Sequence, residues 1–280
     1  MTNVNKRFIR AAVLLALTVM ALPQRISAQI RFFPSVEPFE YPVGSLRPSG
    51  TVGRVIWARL PESRFGVEQE ADVSIGENLP VLGFGRGDRP AFLGLTIRVS
   101  GRFSLDDSKS ALISNDWLAG IHAVADRGPW RLAAEVFHES SHLGDEYADR
   151  FGDPRVDWTR EVLELSVRRR AGRFAASAEA AYAFIDELEL PPASLGIGAD
   201  YAGDLGPIGG GRLIPVAGVH VRLDEYADWK ATTTAKAGLE AAVGGRRLGV
   251  GLILLDGLST QRQFFRVPSR YVGFELRFDW

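Results

Sequence analysis

Residues 136–147 read Val-Phe-His-Glu-Ser-Ser-His-Leu-Gly-Asp-Glu-Tyr, and the secondary structure given to them decides what the chain is. As a helix, His138-Glu139-Ser140-Ser141-His142 is the metal pattern H-E-x-x-H. It sets two histidines four apart on one face, each about 2 Å from a shared zinc ion. As a strand, the same two histidines stand ~13 Å apart and cannot share a metal. A strand instead sets His138 and Ser140 side by side, about 7 Å apart at Cα, where an imidazole reaches a serine hydroxyl.

The flanking residues favour the strand. Gly128-Pro129 marks a turn, after which Trp130, Leu132, Ala134 and Val136 alternate with Arg131, Ala133, Glu135 and Phe137. Continuing the apolar parity puts His138, Ser140 and His142 on the outer face. Leu-Ala-Ala-Glu has good helix propensity, but a helix here would interrupt a β pattern directly after a tight turn.

That β pattern runs through most of the chain. Val272, Phe274, Leu276, Phe278 and Trp280 alternate with Gly273, Glu275, Arg277 and Asp279. Leu248, Val250, Leu252 and Leu254 alternate largely with glycine, and Leu163, Leu165 and Val167 with Glu164, Ser166 and Arg168. Connections come in two kinds: tight at Asp126–Pro129, Arg169–Arg173 and Gly244–Arg247, long at Gly144–Val156 and Gly257–Ser269. Short turns at one end and long loops at the other belong to an all-β, transmembrane antiparallel outer-membrane β-barrel. Twelve strands are predicted, beginning near residues 53, 70, 93, 115, 129, 157, 173, 193, 213, 229, 246 and 268. Trp117, Trp130, Trp158, Trp229 and Trp280 fall near predicted strand ends, where interfacial girdles lie. Pro215 stands against its strand because it lacks a ladder donor.

The N-terminus fits such a barrel. Lys6, Arg7 and Arg10 precede an apolar run from Ala11 to Leu22, and Ile26-Ser27-Ala28 offers a small-residue cleavage site. Residues 1–28 therefore read as a secretory signal peptide, 29–50 as an N-terminal periplasmic segment and 51–280 as the barrel. Removing the signal leaves 29 basic against 34 acidic residues, a net charge of −5. That gives no electrostatic case for nucleic acid. The chain has no cysteine, so disulfides and thiolate metal sites are excluded.

Register supplies a third polar group. With Leu143 opposite Val156, His138 faces Glu161 and Ser140 faces Thr159 on the next strand. Three polar groups then gather on a face that should be apolar, where a basic residue costs up to about 2–4 kcal/mol and an acid less. Their chemistry is that of acyl hydrolysis: Ser140 as nucleophile, His138 as general base, Glu161 as the acid orienting the imidazole. Glu146 and Asp153 are alternative orienting acids. His122 and His220 follow inward parity, and Arg131, Glu135, Glu164 and Arg168 read as a satisfied lumen network.

Phe137-His138-Glu139-Ser140-Ser141-His142-Leu143-Gly144-Asp145-Glu146 resembles the signature segment of an uncharacterised bacterial family of predicted outer-membrane barrels. Arg155-x-Asp157-x-Thr159-x-Glu161 resembles that family's following strand. More loosely, His138-x-Ser140 is similar to the His-x-Ser of outer-membrane phospholipase A and of the lipid A 3-O-deacylase. In those enzymes the third residue follows the serine sooner than Glu161 follows Ser140. The resemblance implies an outer-membrane location, a membrane lipid or lipopolysaccharide as substrate, and barrel-assembly machinery engaging the C-terminal strand. The phospholipase resemblance also implies Ca²⁺, for which Asp145, Glu146 and Asp149 supply oxygen ligands. The leading expectation is a lipid acyl hydrolase at the outer leaflet. The second is a non-enzymatic barrel, a small channel or structural protein, and the third a periplasmic zinc peptidase.

Overall fold

The computed structural model describes residues 30–61, 64, 69–84, 90–106 and 109–279. The signal peptide and Trp280 lie outside the described residues. Twelve long strands follow one another: β1 (Thr51–Leu60), β2 (Gln69–Phe84), β3 (Ala91–Ser104), β4 (Leu112–Arg127), β5 (Trp130–Leu143) and β6 (Trp158–Ala171). The second half adds β7 (Phe174–Asp186), β8 (Ala193–Ala202), β9 (Gly211–Asp224), β10 (Ala231–Val243), β11 (Arg246–Leu258) and β12 (Pro268–Asp279). Each pairs antiparallel with its neighbours, and β12 returns to β1 with Phe274 opposite Val55, which closes the barrel. The predicted starts fall within three residues of these bounds.

Two-residue turns set the register at one end. Gly128, Gly172, Gly244 and Gly245 have φ of +59°, +61°, +57° and +83°, the left-handed backbone that hairpin turns of this length require. Pro215 fits because its carbonyl accepts from Gly203 N–H, just past the end of β8. Its missing donor therefore faces the margin of the ladder, where proline is tolerated.

The alternation becomes an inside-out molecule. Ile97, Ile121, Val136, Leu165, Ile197 and Leu252 project outward and are exposed, an apolar surface that only a lipid solvent accounts for. Many inward positions are polar and buried, and several of them form ion pairs. Arg54 binds Asp72 and Glu275, Arg102 binds Glu70, and Arg168 binds Asp200. His122 meets Thr96 at 2.9 Å and His220 meets Glu179 at 2.9 Å. Both histidines are lumen residues.

The interior is also filled by the chain's own N-terminal segment. Arg31–Phe32 adds a short antiparallel pairing to the turn end of β2. From about residue 37 the segment runs into the barrel and returns to β1, so its residues occupy the lumen. Phe39 and Tyr41 pack with Phe92 and Val124. Tyr41 OH donates to Glu135 at 2.9 Å, Asp200 accepts from Val43 N–H, and Arg47 reaches Glu164 at 3.1 Å. An apolar and aromatic segment expected ahead of the barrel is thus the plug within it.

The long loops cap the other end. Residues Asp145–Phe151 form a helix, α1, within the long Gly144–Val156 connection. Asp145 and Glu146 stand in its first turn, Arg150 in its last, and Gly152 caps it at φ +65°. Tyr147 anchors α1 against Ile113, Leu143 and Phe264. The loop after β11 grips the loop after β5 through Gln263, whose amide donates to the carbonyls of Ser141 and Val156.

Candidate active site

The opening stretch lies on a strand. Along β5, Val136 and His142 are exposed and His138 and Ser140 partly so, whereas Glu135, Phe137, Glu139 and Ser141 are buried. The zinc-peptidase reading fails on this observation. His138 and His142 sit two repeats apart on the strand, and Glu139, which that reading would place at the metal, points into the lumen. There it accepts from Trp158 Nε1 at 3.1 Å and pairs with Arg262 at 3.1 Å.

The ladder places His138 opposite Glu161 and Ser140 opposite Thr159 on β6. His138 Nδ1 lies 2.8 Å from Glu161 Oε1, with the side chains 41% and 32% exposed. A carboxylate only accepts, so Nδ1 carries the hydrogen, and in the neutral imidazole Nε2 then keeps its lone pair. Nε2 is the nitrogen that would take a proton from a hydroxyl. Ser140 is next along the same outward row. Among the described residues no hydrogen bond joins the two, a contact that in free enzymes often forms only with substrate.

Of the alternative acids, Asp153 is engaged elsewhere. Asp153 accepts from Tyr147 OH at 3.0 Å and pairs with Arg64. Burial first, then the Asp153 carboxylate, pushes the Tyr147 hydroxyl up to about 12, so it stays a donor. Glu146 stands on the exposed side of α1. Asp145, Glu146 and Asp149 do not fit calcium: Asp145 pairs with Arg155, and no group of three acids or histidines converges among the described residues.

Two tryptophans expected in the girdle lie beside this stretch. Trp117 on β4 stands opposite Ser140 on the side away from Thr159, half-exposed, its Nε1 donating to Asn115 at 2.9 Å. An indole beside the serine gives the site an apolar wall facing the membrane. Trp158, expected in the girdle, is instead buried inside, between Arg160 and Arg262 and against Phe265.

The model of a family described as "Protein of unknown function (DUF1207)" matches residues 62–280. The chain belongs to the DUF1207 family. A search of curated proteins gives no match to this DUF1207 chain. Among solved structures, it resembles outer membrane phospholipase A from Escherichia coli at 14% identity over 83% of this chain and 91% of that one, TM-score 0.52. The Salmonella typhi outer membrane phospholipase dimer with bound calcium is 13% identical over 85% and 94%, TM-score 0.54. LpxR from Salmonella typhimurium is more distant, 10% identical over 82% and 100%, TM-score 0.45. At these identities the likeness is one of fold: this DUF1207 chain shares the outer-membrane β-barrel architecture of the phospholipases.

Proposed function

We propose that this chain is an outer-membrane acyl hydrolase whose substrate is a membrane lipid or lipopolysaccharide entering from the outer leaflet. One observation carries the reading: the His138–Glu161 hydrogen bond on the lipid-facing wall, one step along β5 from Ser140. A hydrogen-bonded imidazole and carboxylate on that face cost free energy, and a catalytic role would explain why they stand there.

In the reaction Ser140 Oγ attacks the ester carbonyl while His138 Nε2 takes its proton. The imidazolium, stabilised by Glu161, then returns the proton to the departing alcohol, leaving an acyl-serine. Water, deprotonated by the same nitrogen, cleaves the acyl-serine and frees the fatty acid. Trp117 lies where an acyl chain would pack.

The filled lumen supports this reading over a small channel. A structural barrel is the outcome left if the chemistry is absent. The test is fatty-acid release from phospholipid and from lipopolysaccharide by the refolded mature chain, beside Ser140→Ala. Release by the parent is expected, falling about 10³-fold or more in the mutant. Absence of release from both lipids by a folded barrel, or release unchanged in Ser140→Ala, would reject the hydrolase.

A further inference from the structure

At the turn end of the barrel the arginines fall into two sets. Those on inward rows have carboxylate partners: Arg131 pairs with Asp126, Arg168 with Asp200 and Arg247 with Glu40. Two on outward rows have none among the described residues. Arg127 ends β4 on the parity of Ile121, and Arg169 lies near the end of β6 on the parity of Leu165. The ladder sets both opposite one residue, Trp130 at the start of β5, with Arg127 on one side and Arg169 on the other.

Arg127, Trp130 and Arg169 therefore make one lateral row on the outer wall. Neighbouring strands stand about 4.8 Å apart, so the two arginine Cα atoms are roughly 10 Å apart. Side chains of that length can converge on a group between them. The Arg169 guanidinium lies over the Trp130 ring, 5.5 Å from its centroid, and Trp130 is 45% exposed. Arg127 Nη1 donates to the Asp126 carbonyl at 2.7 Å. The other guanidinium donors of the pair, and Trp130 Nε1, have no partner among the described residues.

The row also stands at a particular depth. The 14 residues of β5 cross the roughly 25 Å apolar band of such barrels. With Ser140 at the outer boundary, Trp130 and its arginines are at the inner one, where phospholipid phosphates lie. Arginine takes a phosphate through two parallel hydrogen bonds. An acid beside the row would suit the ammonium of a zwitterionic headgroup, but Arg131 holds both oxygens of Asp126. Two guanidinium groups and an indole donor, with no acid to spare, favour a headgroup of net negative charge.

We propose that Arg127 and Arg169, flanking Trp130, bind the phosphate of one anionic phospholipid of the inner leaflet. The site lies at the opposite end of β5 from Ser140, so it stands or falls independently of the hydrolase.

The experiment is native mass spectrometry of the full mature chain in neutral detergent, titrated with phosphatidylglycerol and separately with phosphatidylcholine. One phosphatidylglycerol should bind saturably, about tenfold or more tighter than the first phosphatidylcholine. Arg127→Gln and Arg169→Gln should each weaken it about tenfold, the loss of one charge-assisted contact. Arg212→Gln removes the same charge beside another turn, from an arginine already paired with Asp204. It should leave binding within about twofold, since a screened charge elsewhere contributes little. Equal affinity for the two lipids would overturn the proposal, as would undiminished binding in either Arg127→Gln or Arg169→Gln. A loss in Arg212→Gln as large as that in Arg169→Gln would also overturn it, leaving only a diffuse positive field. If one variant does not fold, the lipid preference of the parent and the remaining variants decide the matter.

Discussion

One strand residue apart, Ser140 and Glu139 belong to different worlds. Ser140 faces lipid beside His138, and Glu139 faces the lumen, held by Arg262 and Trp158. In the H-E-x-x-H pattern the glutamate would be the indispensable base; on this strand it is a brace for the interior. Two charge-removing changes therefore separate in their effects. Glu161→Gln keeps the shape but replaces an acceptor-only carboxylate with an uncharged amide that can donate to Nδ1 and favour the wrong His138 tautomer, and lipid hydrolysis should fall about 10²- to 10⁴-fold with stability little changed. Glu139→Gln should leave hydrolysis within a few-fold while lowering stability by about 1.5–3 kcal/mol, through a weakened charge-assisted bond. Release assays and urea unfolding on both variants check this. Hydrolysis lost in Glu139→Gln but retained in Glu161→Gln would reverse the assignment.

At the scale of the element, the hairpin turns fix which face each strand presents. Gly172 has φ +61° and open space where a Cβ would stand, so a side chain there meets conformational strain without a clash. Gly172→Val should cost about 1–2 kcal/mol, visible as a lower urea midpoint with unchanged slope. What periodicity and turn chemistry govern was legible beforehand: the strand starts and the shared outward parity of His138 and Glu161; their pairing rested on taking Leu143 opposite Val156 across a long loop, a register in line with the ladder's. Trp158 was misplaced because strand-end position was weighed without parity. Glu161 outward requires Trp158 inward, three residues away on a period of two. Helix α1 was missed because seven residues give too short a window for helical periodicity, although Gly152 in the cap position and Arg150 before it were available signals. The partners in the lumen ion pairs lay beyond reach for a different reason: inward parity marks a residue as interior, but pairing Arg54 with Asp72 and Glu275 needs the exact register of the neighbouring strands.

For the whole molecule, the plug unites sequence and architecture. The segment before β1 carries aromatics and proline because it packs among inward side chains, and it is tethered at the turn end by Glu37. That carboxylate meets Arg170 and lies 3.4 Å from Arg131. Burial pushes its pKa up, but the Arg170 hydrogen bond and the charges of Arg131 and Arg170 outweigh this and hold it below the ordinary 4.5. A depressed carboxylate contributes stability fully above its unfolded value and loses it as pH falls through the folded one. The tether should therefore be intact from neutral pH down to about 4.5 and weaken below it. In planar bilayers the parent should pass little current at neutral pH and develop openings only under stronger acid. Glu37→Gln should admit some openings already at neutral pH and lose most of the acid dependence. An acid-induced current unchanged by Glu37→Gln would place the release of the plug at another carboxylate, with Tyr41-bound Glu135 the next to test.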